Sequence, residues 1–302
     1  MPAPTLSVKN LSLSSDSRNL VESLTFSLAA GERVALLRAS NGISFAYPRS
    51  GFRTGRQPTL QNINLSLSPG TSTALVASSG SGKSTLVRIL LALAKPSTGT
   101  VSLGGEEVKP GPVRTLRQYR RAVQYIPQNP AGSLDPRMTV SQLLREPLRQ
   151  LRVEGNQRLV TEALERVQVP AAMLERRPGE LSGGQKQRMA IARALMVPPA
   201  YLRADEPVSG LDLPLRDTVL ALLENLVHEE GLGLLLVTHG LVTAARMCGS
   251  TEVLSQGRIV EHAPTRQVLE KPRSSAGAAL EQASAAMQST LRPKSDLTAA
   301  TA

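Results

Sequence analysis

The sequence predicts an α/β fold in which a largely parallel sheet is flanked by helices. Three observations lead to this prediction. Strands and helices alternate from Ile43 onward, the apolar strand Thr73–Ala77 continues through a glycine-rich segment into an apolar helix, and the short strand Ala200–Ala204 ends in two acidic residues. Such alternation is typical of a parallel sheet covered by helices, which binds its ligands beyond the carboxyl ends of the strands.

Composition narrows the classes of function. The chain has 302 residues, of which 41% are hydrophobic, enough for one large domain or two modest ones. Its net charge of +11 suits a polyanion, an anionic membrane surface or a phosphate ligand, but arginines spread along the chain favour a solvated basic surface. Aromatic residues are only 2%, which disfavours base-stacking platforms, and we expect no nucleic-acid partner.

Cysteine content and apolar runs bear on the compartment. The single cysteine, Cys248, excludes an internal disulfide, a cysteine-ligated zinc and an iron–sulfur cluster, and it fits a reducing cytosol. The longest apolar runs, such as Ile89–Ala94, are far shorter than the roughly 20 residues that span a bilayer. The first ten residues also lack the basic and apolar pattern of a secretory signal.

An internal similarity occurs near the start of the chain. Val21–Ser40 aligns with Leu60–Ser79, which places Gly31 on Gly70, and both copies read as strand, glycine turn, strand. The first copy has no phosphate-binding lysine. It is either the opening of a second, truncated domain or a chance similarity between two hairpins. On the first interpretation residues 1–40 are a truncated repeat, left by a tandem ancestor or a misjoined reading frame, and are dispensable.

The remaining sequence suggests three further segments. The main domain is expected over residues 41–273, with a helical insertion over about 116–180 that is rich in Arg, Leu and Gln and broken by prolines. A hairpin is predicted over Glu252–Glu261, turning on Gln256 and Gly257. The last segment, 274–302, is dominated by Ala, Ser, Thr and Gln, and we expect it to be mostly disordered.

The glycine-rich segment has the pattern of a phosphate-binding loop. Glycines let successive backbone N–H groups surround phosphate oxygens at a helix N-terminus, so the segment predicts ATP binding with Mg²⁺. We expect Lys83 to reach the β- and γ-phosphates and the Ser84 hydroxyl to ligate Mg²⁺. The alternative is a plain turn before a helix. The candidate residues are Ser79, Gly80, Ser81, Gly82, Lys83, Ser84 and Thr85.

One position departs from the usual loop. Ala77 stands where the motif begins with glycine, and the aligned residue of the first copy is Arg38. If the position requires a positive φ, alanine costs on the order of 1 kcal/mol and weakens nucleotide binding.

The short strand Ala200–Ala204 leads directly into Asp205 and Glu206. Acids at the carboxyl end of a parallel strand face the ligand crevice, so Asp205 is a candidate Mg²⁺ ligand and Glu206 a candidate to polarise the attacking water. Arg203 points to the same side as Asp205, because strand side chains alternate. A buried guanidinium needs an acidic partner or a route to solvent.

The segment Leu181-Ser182-Gly183-Gly184-Gln185, followed by the helical run Lys186–Met196, resembles the signature of ATP-binding-cassette ATPases. The resemblance implies a P-loop NTPase fold of the ABC type, with an antiparallel β subdomain and a helical subdomain, and it implies ATP hydrolysis. In that family Ser182, Gly183, Gly184 and Gln185 would cap the γ-phosphate held by the opposite subunit.

The same resemblance implies roles for other residues in chain order. Tyr47 matches the aromatic residue that stacks on adenine, and Gln128 matches the glutamine that senses Mg²⁺ and the transporter. Ser209–Asp212 matches the loop that contacts the second subunit, and His239 the switch histidine. Gly240 replaces the acid that commonly follows that histidine, which is expected to loosen the loop.

Within the family, Gln128–Arg137 and Gly257–Glu261 are similar to segments of dipeptide, oligopeptide and nickel importers. This implies an ATP-hydrolysing subunit of a bacterial importer, peripheral on the cytoplasmic face of the inner membrane. The implied partners are a second ATPase subunit, identical or paralogous, membrane-spanning permeases and, indirectly, a periplasmic or extracellular solute-binding protein.

Two alternatives remain at this level. Ala77, Arg203 and the truncated copy also fit a regulatory subunit that binds ATP but hardly hydrolyses it. The basic charge permits a soluble cassette ATPase of DNA repair or translation, which would bind nucleic acid tightly and in a salt-sensitive way.

Overall fold

The computed structural model describes residues 6–15, 18–28, 37–46, 59–129 and 131–291. The strands are β1 Leu6–Ser15, β2 Arg18–Leu28, β3 Leu37–Phe45, β4 Leu60–Leu67, β5 Ser72–Ala77, β6 Val101–Leu103, β7 Glu106–Val108, β8 Val123–Ile126, β9 Tyr201–Asp205, β10 Gly233–Thr238, β11 Ser250–Ser255 and β12 Arg258–Pro264. The helices are α1 Lys83–Leu90, α2 Val113–Ala122, α3 Val140–Leu151, α4 Gln157–Arg166, α5 Gly183–Leu195, α6 Leu213–His228, α7 Leu241–Met247, α8 Thr265–Glu270 and α9 Ser275–Leu291.

A six-stranded sheet in the order β12-β11-β5-β10-β9-β8 forms the centre of the fold. The strands from β11 to β8 are parallel and β12 is antiparallel to β11, so the predicted α/β class is confirmed. Every residue of β10 is buried, as expected of a strand covered on both faces. Because β5, β9 and β10 run in the same direction, their carboxyl ends meet at one edge, where the candidate site lies.

A second, antiparallel sheet has the order β4-β3-β6-β7. Strand β3 begins at Leu37, and its ladder with β4 pairs Leu37 with Leu67 and Ala39 with Leu65. Ala39 also pairs with Val101 of β6. The predicted boundary between residues 40 and 41 therefore falls inside a strand, because the extended backbone of 37–40 already pairs within the antiparallel sheet.

This strand yields a prediction about truncation. A chain that starts at residue 41 should have a free energy of unfolding about 2 kcal/mol lower than one that starts at residue 37, because it lacks the backbone hydrogen bonds of the first β3 residues. Thermal unfolding followed by circular dichroism measures the difference. Equal unfolding midpoints for the two truncations would show that 37–40 contribute nothing, and the full-length chain reports separately on residues 1–36.

The two similar segments differ in their surroundings. Strand β2 of the first copy pairs with β1 in a two-stranded sheet, whereas β4 of the second copy pairs with β3. Arg38 lies in antiparallel β3, while the aligned Ala77 ends parallel β5. The first copy thus does not repeat the phosphate-binding strand; Gly31 lies outside the described residues.

The segment over about 116–180, predicted as a helical insertion, contains α3 and α4, but its first part contains a strand. Helix α2 leads into β8, which pairs in parallel with β9 as an edge strand of the main sheet. A four-residue strand between arginine-rich segments carries too little periodicity to be detected from sequence. Beyond it, a capping box between Thr139 and Gln142 starts α3, and Asn156 caps α4.

The C-terminal segment also differs from expectation. The hairpin at Gln256 and Gly257 is confirmed, with φ of 47° and 76° at its turn. Helix α9, however, occupies 275–291, where disorder was predicted, because alanine favours helix and the Glu261 carboxylate accepts hydrogen bonds from the Arg273 and Ser274 backbone at its start. Among the described helices, α9 included, none has the length and apolar character to cross a bilayer.

Candidate functional site

The glycine-rich loop connects β5 to α1, as the sequence predicts. Gly80 and Gly82 have φ of 77° and 102°, in the left-handed region that favours glycine. A Cβ on Gly82 would lie 2.9 Å from the Thr59 carbonyl oxygen and 2.8 Å from Leu60 Cδ2. Gly82 precedes the first turn of α1, whose N–H groups have no partners within the helix and are suited to an anion.

The expected cost at Ala77 is absent. Ala77 is the buried last residue of β5, pairs with Leu254 of β11, and does not have a positive φ. The prediction that alanine strains the loop is therefore wrong, because extended backbone accommodates any side chain. The carbonyl of Ala77 accepts a hydrogen bond of 2.7 Å from Lys83 Nζ, so the position contributes through its main chain.

Residues from five separate segments surround one cavity of about 460 Å³. Its walls are formed by the residue before β4, the loop, the second residue after β8, the acid after β9 and the histidine after β10. Its lining is Thr59, Ser79, Gly80, Gly82, Lys83, Ser84, Thr85, Gln128, Glu206 and His239. Tyr47 lies outside the described residues.

Glu206 and His239 form a hydrogen-bonded pair at this cavity. Glu206 Oε1 accepts from the His239 backbone N–H at 2.9 Å and from His239 Nδ1 at 2.6 Å. The Thr238 hydroxyl lies 3.5 Å from Oε2. Glu206 is buried and has a φ of 49°, a conformation that costs a non-glycine residue roughly 1–2 kcal/mol. These hydrogen bonds hold the carboxylate in one orientation.

Asp205, on the same strand end, lies between an aromatic hydroxyl and a buried cation. Its carboxylate accepts a hydrogen bond from Tyr125 of β8, and its Oδ2 is 3.6 Å from Arg203 Nη2. Burial raises the pKa of Asp205, while the positive charges of Arg203 and Lys83 lower it. The acidic partner expected for Arg203 is thus Asp205, although their contact is longer than a hydrogen bond.

The signature residues are not part of this cavity. Ser182 caps α5, its hydroxyl accepting from the Gln185 N–H at 3.2 Å while Gln185 Oε1 accepts from the Ser182 N–H at 2.8 Å. Gly183 is exposed, and a Cβ on Gly184 would meet Leu215 Cδ2 of α6 at 2.5 Å. The capped helix end does not line the cavity that contains the phosphate-binding loop.

The residues of the cavity fit a nucleoside triphosphate and Mg²⁺. The buried Ser81 hydroxyl makes no hydrogen bond with any residue that the structure describes, and Lys83 places its ammonium group against the loop. Ser84 and Gln128 contribute a hydroxyl and an amide to the lining, and the Asp205 carboxylate, which is not part of the lining, interacts with the charge of Lys83. One carboxylate with neutral oxygens suits Mg²⁺, which keeps several waters and binds the substrate phosphates.

Three residues at the site were missed by sequence reasoning, and one of them, Thr59, lines the cavity. Tyr125 touches Asp205, and the Thr238 hydroxyl contacts Glu206 and accepts from the Gly240 N–H at 3.1 Å. The latter bond steadies the loop that Gly240 was expected to loosen. Thr238 could have been found as the last polar residue before His239, whereas Tyr125 depends on the pairing of β8 with β9.

Comparison with known proteins identifies the family. The family model described as ABC transporter matches residues 60–209. The nickel import ATP-binding protein NikE of Shigella boydii is 39% identical over 233 residues, which cover 76% of this chain and 87% of that protein. The chain belongs to the ABC transporter ATPase family. The NikE protein of Escherichia coli K12 is 38% identical over 226 residues, covering 73% of this chain and 84% of the relative.

A solved ABC structure agrees with the fold. The dimeric, post-hydrolysis structure of an ATP-binding cassette with bound ADP and Pi superposes with a TM-score of 0.67 at 27% identity, covering 78% of this chain and 99% of that one. The resemblance seen in the sequence is thus confirmed for family, fold and nucleotide. As an ABC ATPase, the chain binds ATP and hydrolyses it.

Proposed function

We propose that this chain is the ATP-hydrolysing subunit of a bacterial importer for nickel, a peptide or a similar solute. The observation that carries the proposal is the single cavity around which Lys83, Gln128, Glu206 and His239 converge. The import direction rests on the similarity to nickel import proteins, which extends over 87% of the length of the Shigella boydii relative.

Lys83 and the N–H groups at the start of α1 bind the phosphates. Ser84, Gln128 and Asp205 would hold Mg²⁺, which supplies neutralisation of phosphate charge. Glu206 accepts the proton of the attacking water, and its two contacts with His239 aim the carboxylate. Tyr47 contacts the adenine.

A second subunit, identical or paralogous, completes the site. Ser182, Gly183, Gly184 and Gln185 lie outside the cavity of their own subunit, and in a two-fold dimer each such loop faces the nucleotide of the partner. The exposed N-terminus of α5 supplies N–H groups suited to the γ-phosphate.

The subunit docks on membrane-spanning permeases at the cytoplasmic face of the inner membrane. A periplasmic or extracellular solute-binding protein delivers the solute to the opposite face of these permeases. A cavity of about 500 Å³ supports this placement. It opens between α2, α3 and α5, next to Gln128, and its lining includes Leu93, Val113 and Pro147. Leu93 and Val113 are exposed, as expected of residues that contact a partner.

Uptake in the host cell tests the proposal. Removal of this chain should reduce the uptake of either radioactive nickel or a labelled dipeptide to background, because the permeases lose their source of energy. The unmutated chain should restore uptake, and the Lys83→Ala chain, which lacks the phosphate-binding ammonium, should not. Arg88→Ala, an exposed change on the same helix, is the matched control.

Unchanged uptake of both solutes would contradict the importer assignment. If the purified chain still released phosphate from ATP in that case, it would be a cassette ATPase outside solute import.

A further inference from the structure

Arg203 is a buried cation at the centre of the main sheet. It lies on β9, paired with Leu235 on one side and Tyr125 on the other, and only 3% of its surface is exposed. Its guanidinium nitrogens make no hydrogen bond with any residue that the structure describes. A charge in this position requires compensation by another charge or by an aromatic face.

Two neighbours provide that compensation. The guanidinium carbon is 5.2 Å from the centre of the Tyr125 ring, within the range of a cation–π contact. Among the described residues, the carboxylate in ion-pair contact with it is that of Asp205, whose Oδ2 is 3.6 Å from Nη2. Burial lowers the pKa of Arg203 to about 10, which leaves the side chain charged at neutral pH.

The two neighbours are connected to each other. The Tyr125 hydroxyl donates to the same Asp205 carboxylate that Arg203 attracts. Arg203, Tyr125 and Asp205 therefore form a closed three-residue cluster, defined here as the Arg203 cluster. Asp205 is its only member proposed to reach Mg²⁺, and its carboxylate also feels the charges of Lys83 and Glu206, two residues that line the cavity.

We propose that Arg203 is a positioning residue that holds the Asp205 carboxylate within the sheet and weakens its hold on the divalent cation bound with nucleotide. The inference rests on the proposed function, because it concerns the metal role of Asp205. A carboxylate shared between two positive groups binds each less strongly than it would bind one alone, and the two cations also repel each other in a poorly hydrated site.

The charge has a second consequence for the geometry. Without Asp205 the buried guanidinium would have no anionic partner among its described contacts, so the pair constrains the carboxylate orientation even when nucleotide is absent. A neutral side chain at position 203 would release Asp205 toward the cavity. A neutral residue at position 203 should therefore increase the affinity for the metal. It should leave the affinity for nucleotide in the absence of metal unchanged.

The experiment is a titration of the protein–ADP complex with Mn²⁺, with free Mn²⁺ followed by electron paramagnetic resonance. Arg203→Met, which retains side-chain length but not charge, should bind Mn²⁺ about tenfold more tightly than the unmutated chain. Arg203→Gln should change affinity in the same direction, and it keeps the test available if the methionine variant does not fold. Arg203→Lys, which retains the charge, should remain close to the unmutated value.

Two controls separate charge from packing. Leu202→Val alters a buried neighbour on the opposite face of β9 and should leave Mn²⁺ affinity unchanged. ADP affinity in EDTA should be the same for all variants. The inference would be overturned if Arg203→Met and Arg203→Gln bound Mn²⁺ no more tightly than the unmutated chain. It would also be overturned if Arg203→Lys gained as much Mn²⁺ affinity as the neutral variants. Failure of the unmutated chain to bind ADP at all would instead contradict the proposed function.

Discussion

Replacing Glu206 with glutamine is expected to reduce the rate of phosphate release from ATP at least about 100-fold, the usual contribution of a general base. The amide oxygen can still accept from both His239 donors, so the local structure should persist. What is lost is the basic oxygen that takes the proton of the attacking water. ATP affinity should therefore remain within about threefold of the unmutated value, because no phosphate-binding group is removed.

Phosphate release by the chain together with its partner subunit measures this effect, and fluorescent-nucleotide binding measures affinity. Glu224→Gln is the matched control, since Glu224 of α6 pairs with Arg246 of α7 and does not line the cavity. Release by Glu206→Gln above a tenth of the unmutated rate would mean that another group accepts the proton. Absence of release in the unmutated assembly would support a regulatory subunit.

Alanine at Gly82 is the second change with a large expected effect. Its left-handed φ of 102° costs an alanine about 1–2 kcal/mol, and the clash with the Thr59 carbonyl and Leu60 adds about 1–3 kcal/mol. We expect the free energy of unfolding to fall by about 3 kcal/mol. Nucleotide affinity should fall as well, because relief of the clash displaces the start of α1 from the phosphates.

Gly80→Ala is the matched control for this prediction. Gly80 also has a positive φ, 77°, but nothing lies within 4 Å of the position that an alanine Cβ would occupy, so only backbone strain applies. Its unfolding free energy should fall by about 1 kcal/mol. Thermal unfolding without nucleotide measures both variants, and equal losses would show that the contact with Thr59 is unimportant.

The features that sequence could predict are those encoded by neighbouring residues. Gly80, Gly82 and Lys83 define their own loop, because glycine conformation and the following helix are local properties. Asp205 and Glu206 follow directly from a short apolar strand. The parallel sheet then brings these runs to one edge without further information, which is why Lys83, Glu206 and His239 line the same cavity.

The features that sequence could not predict depend on pairing between distant segments. Tyr125 reaches Asp205 only because β8 adds in parallel beside β9, and β8 is too short to have been recognised. Strand β3 crosses the predicted boundary because its first residues find partners on β4. The strain expected at Ala77 was wrong for a related reason, since its backbone conformation is set by the sheet and not by the loop motif.

The left-handed backbone conformation of Glu206 implies a compromise between the stability of the fold and catalysis. Glycine or asparagine would adopt a φ of 49° more readily and would increase the stability of this turn. Neither residue carries a carboxylate, so the more stable protein would be the inactive one. The chain therefore keeps at this position a residue that its fold disfavours, and the neighbouring His239 and Thr238 offset part of that conformational cost.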